Sequence, residues 1–190
     1  GGNTGRNTTI IRSNYLQDSS AAIYEKARSL YETMSQDLNY NVMFSPRGLL
    51  MLAQTHHEIR GYQRTAHANA LQGVATEWIG PAKVKELVPI INIDGPRYPV
   101  LGALYQARGG TARHDAVAWG YARACSAMGM DIIQQCEVKG VKTEGGVVKG
   151  VETSKGYIGC KKLGIVVAGH SGELADMAGF RLPVEAVALQ

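Results

Sequence analysis

The stretch Arg108-Gly-Gly-Thr-Ala-Arg-His-Asp-Ala-Val-Ala-Trp-Gly-Tyr-Ala-Arg-Ala-Cys-Ser-Ala-Met-Gly-Met-Asp-Ile-Ile-Gln-Gln-Cys-Glu-Val138 reads as a glycine loop, a helix and a strand. Asp115 stands where a helix N-cap belongs and Gly129 where a C′ glycine belongs. Between Ala116 and Met128 only Arg123 and Ser126 are clearly polar, so the helix is expected to be buried on nearly every side. Ile132, Ile133 and Val138 make Asp131 to Val138 the expected strand. His114 is out of character in this setting. It follows two glycines and an arginine at the positive end of a helix, where free backbone N–H groups can hold an anion.

Working outward, the C-terminal side continues as strands. Gly145-Gly146 turns one strand onto Val147 to Val151, and Tyr157 to Cys160 follows. Leu163 to Ala168 reads as a buried strand that meets Gly169-His-Ser-Gly172 and a helix through Ala178. A strand, a glycine turn and a helix form a common nucleotide-site geometry, but by itself the stretch reads first as a plain strand-to-helix connection. On the N-terminal side, Val100 to Gln106 is an expected strand, after the turn-rich run Ile91 to Pro99. Pro81 starts a helix ending near Leu87, and Val74 to Ile79 holds a short strand. Thr55-His-His-Glu58 fits the capping box, with a helix behind it to about Leu71. Asn41 to Phe44 and Gly48 to Ala53 read as strands around the turn at Ser45 to Gly48. Asp18 can cap a helix to about Leu38, with Ala22, Ile23, Ala27, Leu30, Tyr31 and Met34 as its apolar stripe.

The first twelve residues, Gly1-Gly-Asn-Thr-Gly-Arg-Asn-Thr-Thr-Ile-Ile-Arg12, combine small residues and hydroxyls with two arginines. Such a loop suits a phosphate or ribityl-like chain lying against it, and equally serves as a polar connection.

Composition narrows the classes. The 190 residues carry a net charge of +4 with no block of like charges, which gives no argument for nucleic acid and suits small anionic ligands. No apolar run reaches membrane-spanning length. Cys125, Cys136 and Cys160 form no C-x-x-C pair, as expected of reduced thiols in a cytoplasmic protein. His56, His57 and His67 lack the i,i+4 spacing of a metal pair, so no metal is expected. No G-x-G-x-x-G is present, and neither end looks like a natural terminus, so the chain is expected to be an interior fragment.

Several runs together resemble the D-amino-acid-oxidase-like family of FAD-dependent oxidoreductases, and within it the β subunits of heterotetrameric sarcosine oxidases. They are Gly1 to Tyr15, Gln36-Asp-Leu-Asn-Tyr-Asn-Val-Met-Phe44, Ala112-Arg-His-Asp-Ala-Val-Ala-Trp-Gly-Tyr-Ala-Arg123, Asp131-Ile-Ile-Gln134 with Cys136-Glu-Val138, and Val167-Ala-Gly-His170 with Leu174-Ala-Asp-Met-Ala-Gly-Phe180. The resemblance implies an α/β fold: a glutathione-reductase-like FAD/NAD(P)-binding domain from residues 1–40 and 111–190, interleaved with a mixed β-sheet substrate domain at 41–110, and truncated at both ends. It implies that Asn3, Thr4, Arg6, Asn7 and Thr8 touch FAD, that Ile11 lies near the isoalloxazine, and that Val138, Ala168, Gly169 and His170 complete the FAD contacts. By the same resemblance Arg12 is the candidate catalytic residue, facing the substrate carboxylate. A guanidinium binds a carboxylate in bidentate fashion. His114 would carry covalent FMN, where the residues alone favour a locally hydrogen-bonded histidine at a helix N-terminus. Arg113 and Arg108 could pair with the FMN phosphate or with solvent. The implied reaction is oxidation of sarcosine to glycine, with electrons passing from FAD to FMN to oxygen and forming hydrogen peroxide. The α subunit would pack at the FMN site. Alternatives are a dehydrogenase of another secondary amine or imino acid, such as proline or dimethylglycine, and an inactive fragment that binds no flavin. The family's opening glycine motif and C-terminal half are absent from the sequence.

Overall fold

A computed structural model describes residues 4–187. In chain order the elements are β1 (Ile10–Ile11), α1 (Asp18–Asp37), β2 (Leu49–Ala53), α2 (His56–Leu71), β3 (Glu77–Ile79), α3 (Pro81–Leu87), β4 (Gly102–Gln106), β5 (Gly110–Thr111), α4 (His114–Ala127), β6 (Val138–Glu144), β7 (Val147–Thr153), β8 (Gly156–Gly159), a 3-10 turn (Ala168–His170) and α5 (Ser171–Met177). The chain divides into two compact units, Gly1–Met130 and Asp131–Gln190.

In the first unit β2, β4 and β3 form one sheet, in that order. The sheet expected to be mixed has only antiparallel pairings among the described residues. β2 and β3 run the same way, as a crossover through α2 requires, but β4 enters between them in the opposite sense. Ile79, Val84, Val100 and Ala103 form the buried cluster where this sheet meets α3, with Leu50, Leu52, Ile91, Ile93 and Tyr105 packed around it. The helix starts follow the local chemistry. Thr55 accepts from the Glu58 N–H, and the Glu58 carboxylate accepts from the Thr55 N–H, so the capping box is complete. Pro81 opens α3, where its missing N–H costs nothing.

Four expectations for this unit need correction. Asn41 to Phe44 is no strand: Met43 has φ 54°, and its N–H donates to Asn41 Oδ1, which turns the chain. Asp115 is not the N-cap of α4. The helix begins two residues earlier, at His114 after Arg113, and Asp115 instead takes a bidentate pair from Arg113 at 2.6 and 2.9 Å. Nor is α4 buried all round. Only Ala116 and Gly120, one turn apart, are buried, while Trp119, Tyr121 and Met128 are exposed. The close approach is at Gly120, where a Cβ would stand 3.1 Å from Leu38 and 3.3 Å from Tyr40. On α1 the stripe is displaced: Ala21, Arg28 and Met34 are buried, whereas Ile23 and Leu30 are exposed.

The second unit is the meander β6–β7–β8, with α5 against β6. Gly145 and Gly146, at φ 55° and 77°, supply the two left-handed positions of the expected two-residue hairpin turn. The strand expected at Asp131 to Val138 begins only at its last residue, because 131–137 find no strand partner among the described residues. Leu163 to Val167 likewise finds no strand partner among the described residues, Ala168 belongs to the 3-10 turn, and Val166 is 92% exposed. An apolar run becomes a strand only when a ladder receives its backbone groups.

Candidate functional site

The site is built on the smallest sheet. Ile10 pairs with Thr111 and Ile11 with Gly110, while Ala112 N–H donates to Thr9 C=O at 3.0 Å. Residues a hundred positions apart thus lie side by side. Two hollows open beside this seam, of about 400 and 330 Å³, sharing Thr8, Ile10, Ile11 and Tyr31 as a common wall.

The first hollow adds Arg12, Tyr15, Tyr24, Ala27 and Arg28. Arg12 is half-buried and has no carboxylate partner among the described residues. Its Nη1 donates to Asn14 Oδ1 at 2.9 Å and lies 3.9 Å from Met51 Sδ, and its guanidinium stands 4.2 Å over the Tyr15 ring. Tyr15 stacks in turn on Tyr24. Burial raises the Tyr15 phenol pKa, and the adjacent Arg12 opposes the shift. Arg28, 1% exposed, is neutralised by Glu25 at 2.6 Å and Glu32 at 2.7 Å. Glu25 also accepts from Ser13 Oγ, and Ser13 is locked to Gln106 of β4 through two hydrogen bonds. Donors from Arg28 hold the Glu25 carboxyl below the usual range. Donors from Arg108, then from Arg28, do the same for Glu32. The unbalanced charge facing the first hollow is therefore Arg12.

The second hollow is lined by Thr4, Asn7, Thr8, Thr9, Ala112, His114 and Val117 besides the common wall. His114 Nδ1 is buried and has no hydrogen-bond partner among the described residues. An unsatisfied buried ring nitrogen is rare enough to need a reason. Asn7 is engaged within its own loop: its Nδ2 donates to Thr4 C=O at 2.5 Å, and its Oδ1 accepts from Thr9 N–H at 2.8 Å. Those bonds hold Thr9 at φ 60°.

The structure therefore brings Thr4, Asn7, Thr8, Ile11, Arg12 and His114 around one seam. Arg6 is exposed and lines neither hollow, and Asn3 lies outside the described residues. Arg113 and Arg108 are paired within the chain, with Asp115 and Glu32. Val138, Ala168, Gly169 and His170 belong to the second unit. There Val138 opens β6, Ala168 takes φ 49°, and exposed His170 pairs with Glu173 at 3.3 Å. Sequence reading missed Tyr15, Tyr24 and Arg28. The signal was present: Tyr24, Ala27, Arg28 and Tyr31 follow the i, i+3, i+4, i+7 pattern of one helix face.

A family model described as FAD dependent oxidoreductase matches residues 1–190. The chain belongs to this FAD-dependent oxidoreductase family. It is 77% identical over 190 residues to the sarcosine oxidase subunit beta of Rhodobacter capsulatus, covering 100% of this chain and 46% of that protein. It is 52% identical over 191 residues to the sarcosine oxidase subunit beta of an Arthrobacter species, covering 100% of this chain and 47% of that protein. The chain thus spans about half the length of these curated relatives. Among solved structures, the L-proline dehydrogenase from P. horikoshii superposes with a TM-score of 0.86 at 25% identity, over 94% of this chain and 46% of that one. The α/β arrangement is the fold of this FAD-dependent oxidoreductase family. Its cofactor chemistry is compatible with the second hollow, where hydroxyl-bearing Thr4 and Thr8, apolar Ile10 and Val117, and an unpartnered ring nitrogen face one space. Among the described residues no helix is long and apolar enough to cross a membrane, and no cluster of His, Cys, Asp and Glu could hold a metal.

Proposed function

We propose that the protein to which this chain belongs oxidises the N-methyl amine of sarcosine to glycine, as the β subunit of a multi-subunit cytoplasmic flavin oxidase. The observation that carries the reading is the seam between β1 and β5: among the described residues, it sets a guanidinium without a carboxylate partner in one hollow and a histidine with an unpartnered ring nitrogen in the next. The 77% identity to a sarcosine oxidase β subunit supports the substrate.

When bound, FAD would supply the two-electron acceptor for the amine and FMN the relay to oxygen, with hydrogen peroxide as product. Arg12 binds the substrate carboxylate and so orients the amine. Asn3, Thr4, Arg6, Asn7, Thr8 and Ile11 would contact FAD from the first loop, and Asn7 also holds that loop's turn. Val138, Ala168, Gly169 and His170 contribute the remaining FAD contacts. In this reading residues 1–40 and 111–190 are the FAD-binding domain and 41–110 the substrate domain. His114 attaches FMN through a ring nitrogen. A neutral imidazole is the nucleophile this requires, and Nδ1 has no hydrogen-bond partner among the described residues. The α subunit covers the FMN site.

The test is the intact mass of the full-length protein, purified with its partner subunits, after acid denaturation and desalting. The chain should retain the mass of one FMN, and His114→Ala should lose it while FAD still extracts. Unmodified mass in the wild type would remove the FMN assignment. A second reading, oxidation of a cyclic imino acid, is supported by the likeness to L-proline dehydrogenase. Turnover on sarcosine, proline and dimethylglycine separates the two, and a protein that stays colourless with added FAD would overturn both.

A further inference from the structure

Resting on the assignment of Arg12 to the substrate carboxylate, we infer that Tyr15 is a positioning residue that presets the Arg12 guanidinium for a planar, two-oxygen anion. The inference starts from how Arg12 is held. The other arginines nearby, Arg28, Arg108 and Arg113, are each fixed by carboxylates. A carboxylate on Arg12 would compete with any carboxylate ligand. An aromatic face attracts a guanidinium without neutralising it and leaves its in-plane N–H donors available. Tyr15 offers that face at 4.2 Å.

The remaining contacts choose the edge. Nη1 is directed to Asn14 Oδ1 and Met51 Sδ. Among the described residues Nε and Nη2 have no partner. The Nε–Nη2 edge is the parallel pair of donors that a carboxylate engages bidentately. The ligand selected is therefore an amino acid with a free carboxylate, not a bare secondary amine.

Tyr15 is itself held from three sides. Its C=O accepts from Nδ2 of Asn69, a fully buried residue of α2, at 2.7 Å. Its N–H donates to Ser13 C=O at 2.8 Å, and Ser13 is anchored to Gln106. Its ring is covered by Tyr24, with centroids 4.3 Å apart and planes at 26°. The rotamer freedom of a long arginine side chain is thus restricted before the ligand arrives, and ordering met in advance is not charged to binding.

The experiment compares Tyr15→Leu, Tyr15→Phe and Arg12→Met in the full-length protein carrying its flavin. It measures the KM and kcat for sarcosine, and the Kd of acetate by calorimetry. Tyr15→Leu should raise both KM and the acetate Kd by about tenfold, with kcat within about twofold. Tyr15→Phe, which keeps the face, should restore both. A Phe variant as weak as Leu, or a Leu variant with unchanged acetate affinity while Arg12→Met loses it, overturns the role of Tyr15 and leaves that of Arg12. Unchanged acetate affinity in Arg12→Met overturns the carboxylate assignment and this inference with it. If Tyr15→Leu does not assemble, Tyr24→Leu, which uncovers the outer face of Tyr15, should raise the acetate Kd in the same direction; no change there counts against the stack.

Discussion

Arg28 places a full charge on α1 where the helix meets the rest of its unit, at 1% exposure. Such a charge is tolerable only when paired, and Glu25 and Glu32 supply the pairing one turn to either side. Removing Arg28 leaves two carboxylates without their shared partner. Because both are partly solvated and Glu32 keeps Arg108, the cost falls below that of a fully buried pair. Arg28→Met should lose roughly 2–3 kcal/mol of unfolding free energy in urea titrations, and adding Glu25→Gln should recover part of it. The same group gives a pH dependence. Glu25 and Glu32 are depressed below their ordinary value of 4.5 in the folded chain, so the unfolded chain binds protons first as pH falls. Their contribution is complete above about pH 4.5 and is lost as pH drops through the depressed values. The stability difference between wild type and the Glu25→Gln/Glu32→Gln double variant should be constant from pH 7 to about 5 and shrink below that. A difference that stays flat to pH 3 would contradict the network.

At the scale of elements, two glycine substitutions should act in opposite directions. A Cβ at Gly110 would lie 2.1 Å from Ser45 C=O and 2.8 Å from Pro46 Cα, so the backbone must part there. Gly110→Ala should cost roughly 3 kcal/mol, as overpacking against backbone does. Gly61 lies inside α2 with nothing within 4 Å of an added Cβ. Gly61→Ala should stabilise by about 0.5–1 kcal/mol, and paired thermal melts would check both signs. Elements with local chemistry were legible in the sequence: the Thr55 capping box, Pro81 at the start of α3, and the glycine pair between β6 and β7. Where the decision belongs to a distant partner, reading failed. Asp131 to Glu137 and Leu163 to Val167 have strand composition but no ladder among the described residues. Of the site, Arg12 and His114 were visible through family likeness. Tyr15, Tyr24 and Arg28 were not: the Glu25–Arg28–Glu32 spacing and the Tyr24–Arg28–Tyr31 face lie in the helix pattern, but that this face meets Tyr15 is set by packing that no spacing rule gives.

At the scale of the whole chain, the break falls between Met130 and Asp131. The connecting residues from 131 to 137 form no strand; most are exposed, and Gln135 takes φ 50°. Such backbone is open to attack by a protease of broad specificity. Brief digestion of the chain should cut first within residues 131–137 and leave a fragment ending near Met130, read by mass spectrometry. First cuts inside β2, β4 or α2 would contradict the division.

The pairing of β1 with β5 joins positions 10–11 to 110–111 by two residues on each side. Closing a loop of that length costs about 4 kcal/mol of chain entropy, more than so short a ladder returns. The seam is therefore a late event in folding: it forms once the intervening chain, from α1 to β4, has brought its ends together. Arg12 and His114 emerge from synthesis a hundred residues apart, and the second hollow, which sets Ala112, His114 and Val117 beside Thr8 to Ile11, does not exist until that closure. Any ligand requiring both must wait for a finished scaffold, so cofactor loading comes after folding of this unit and does not nucleate it.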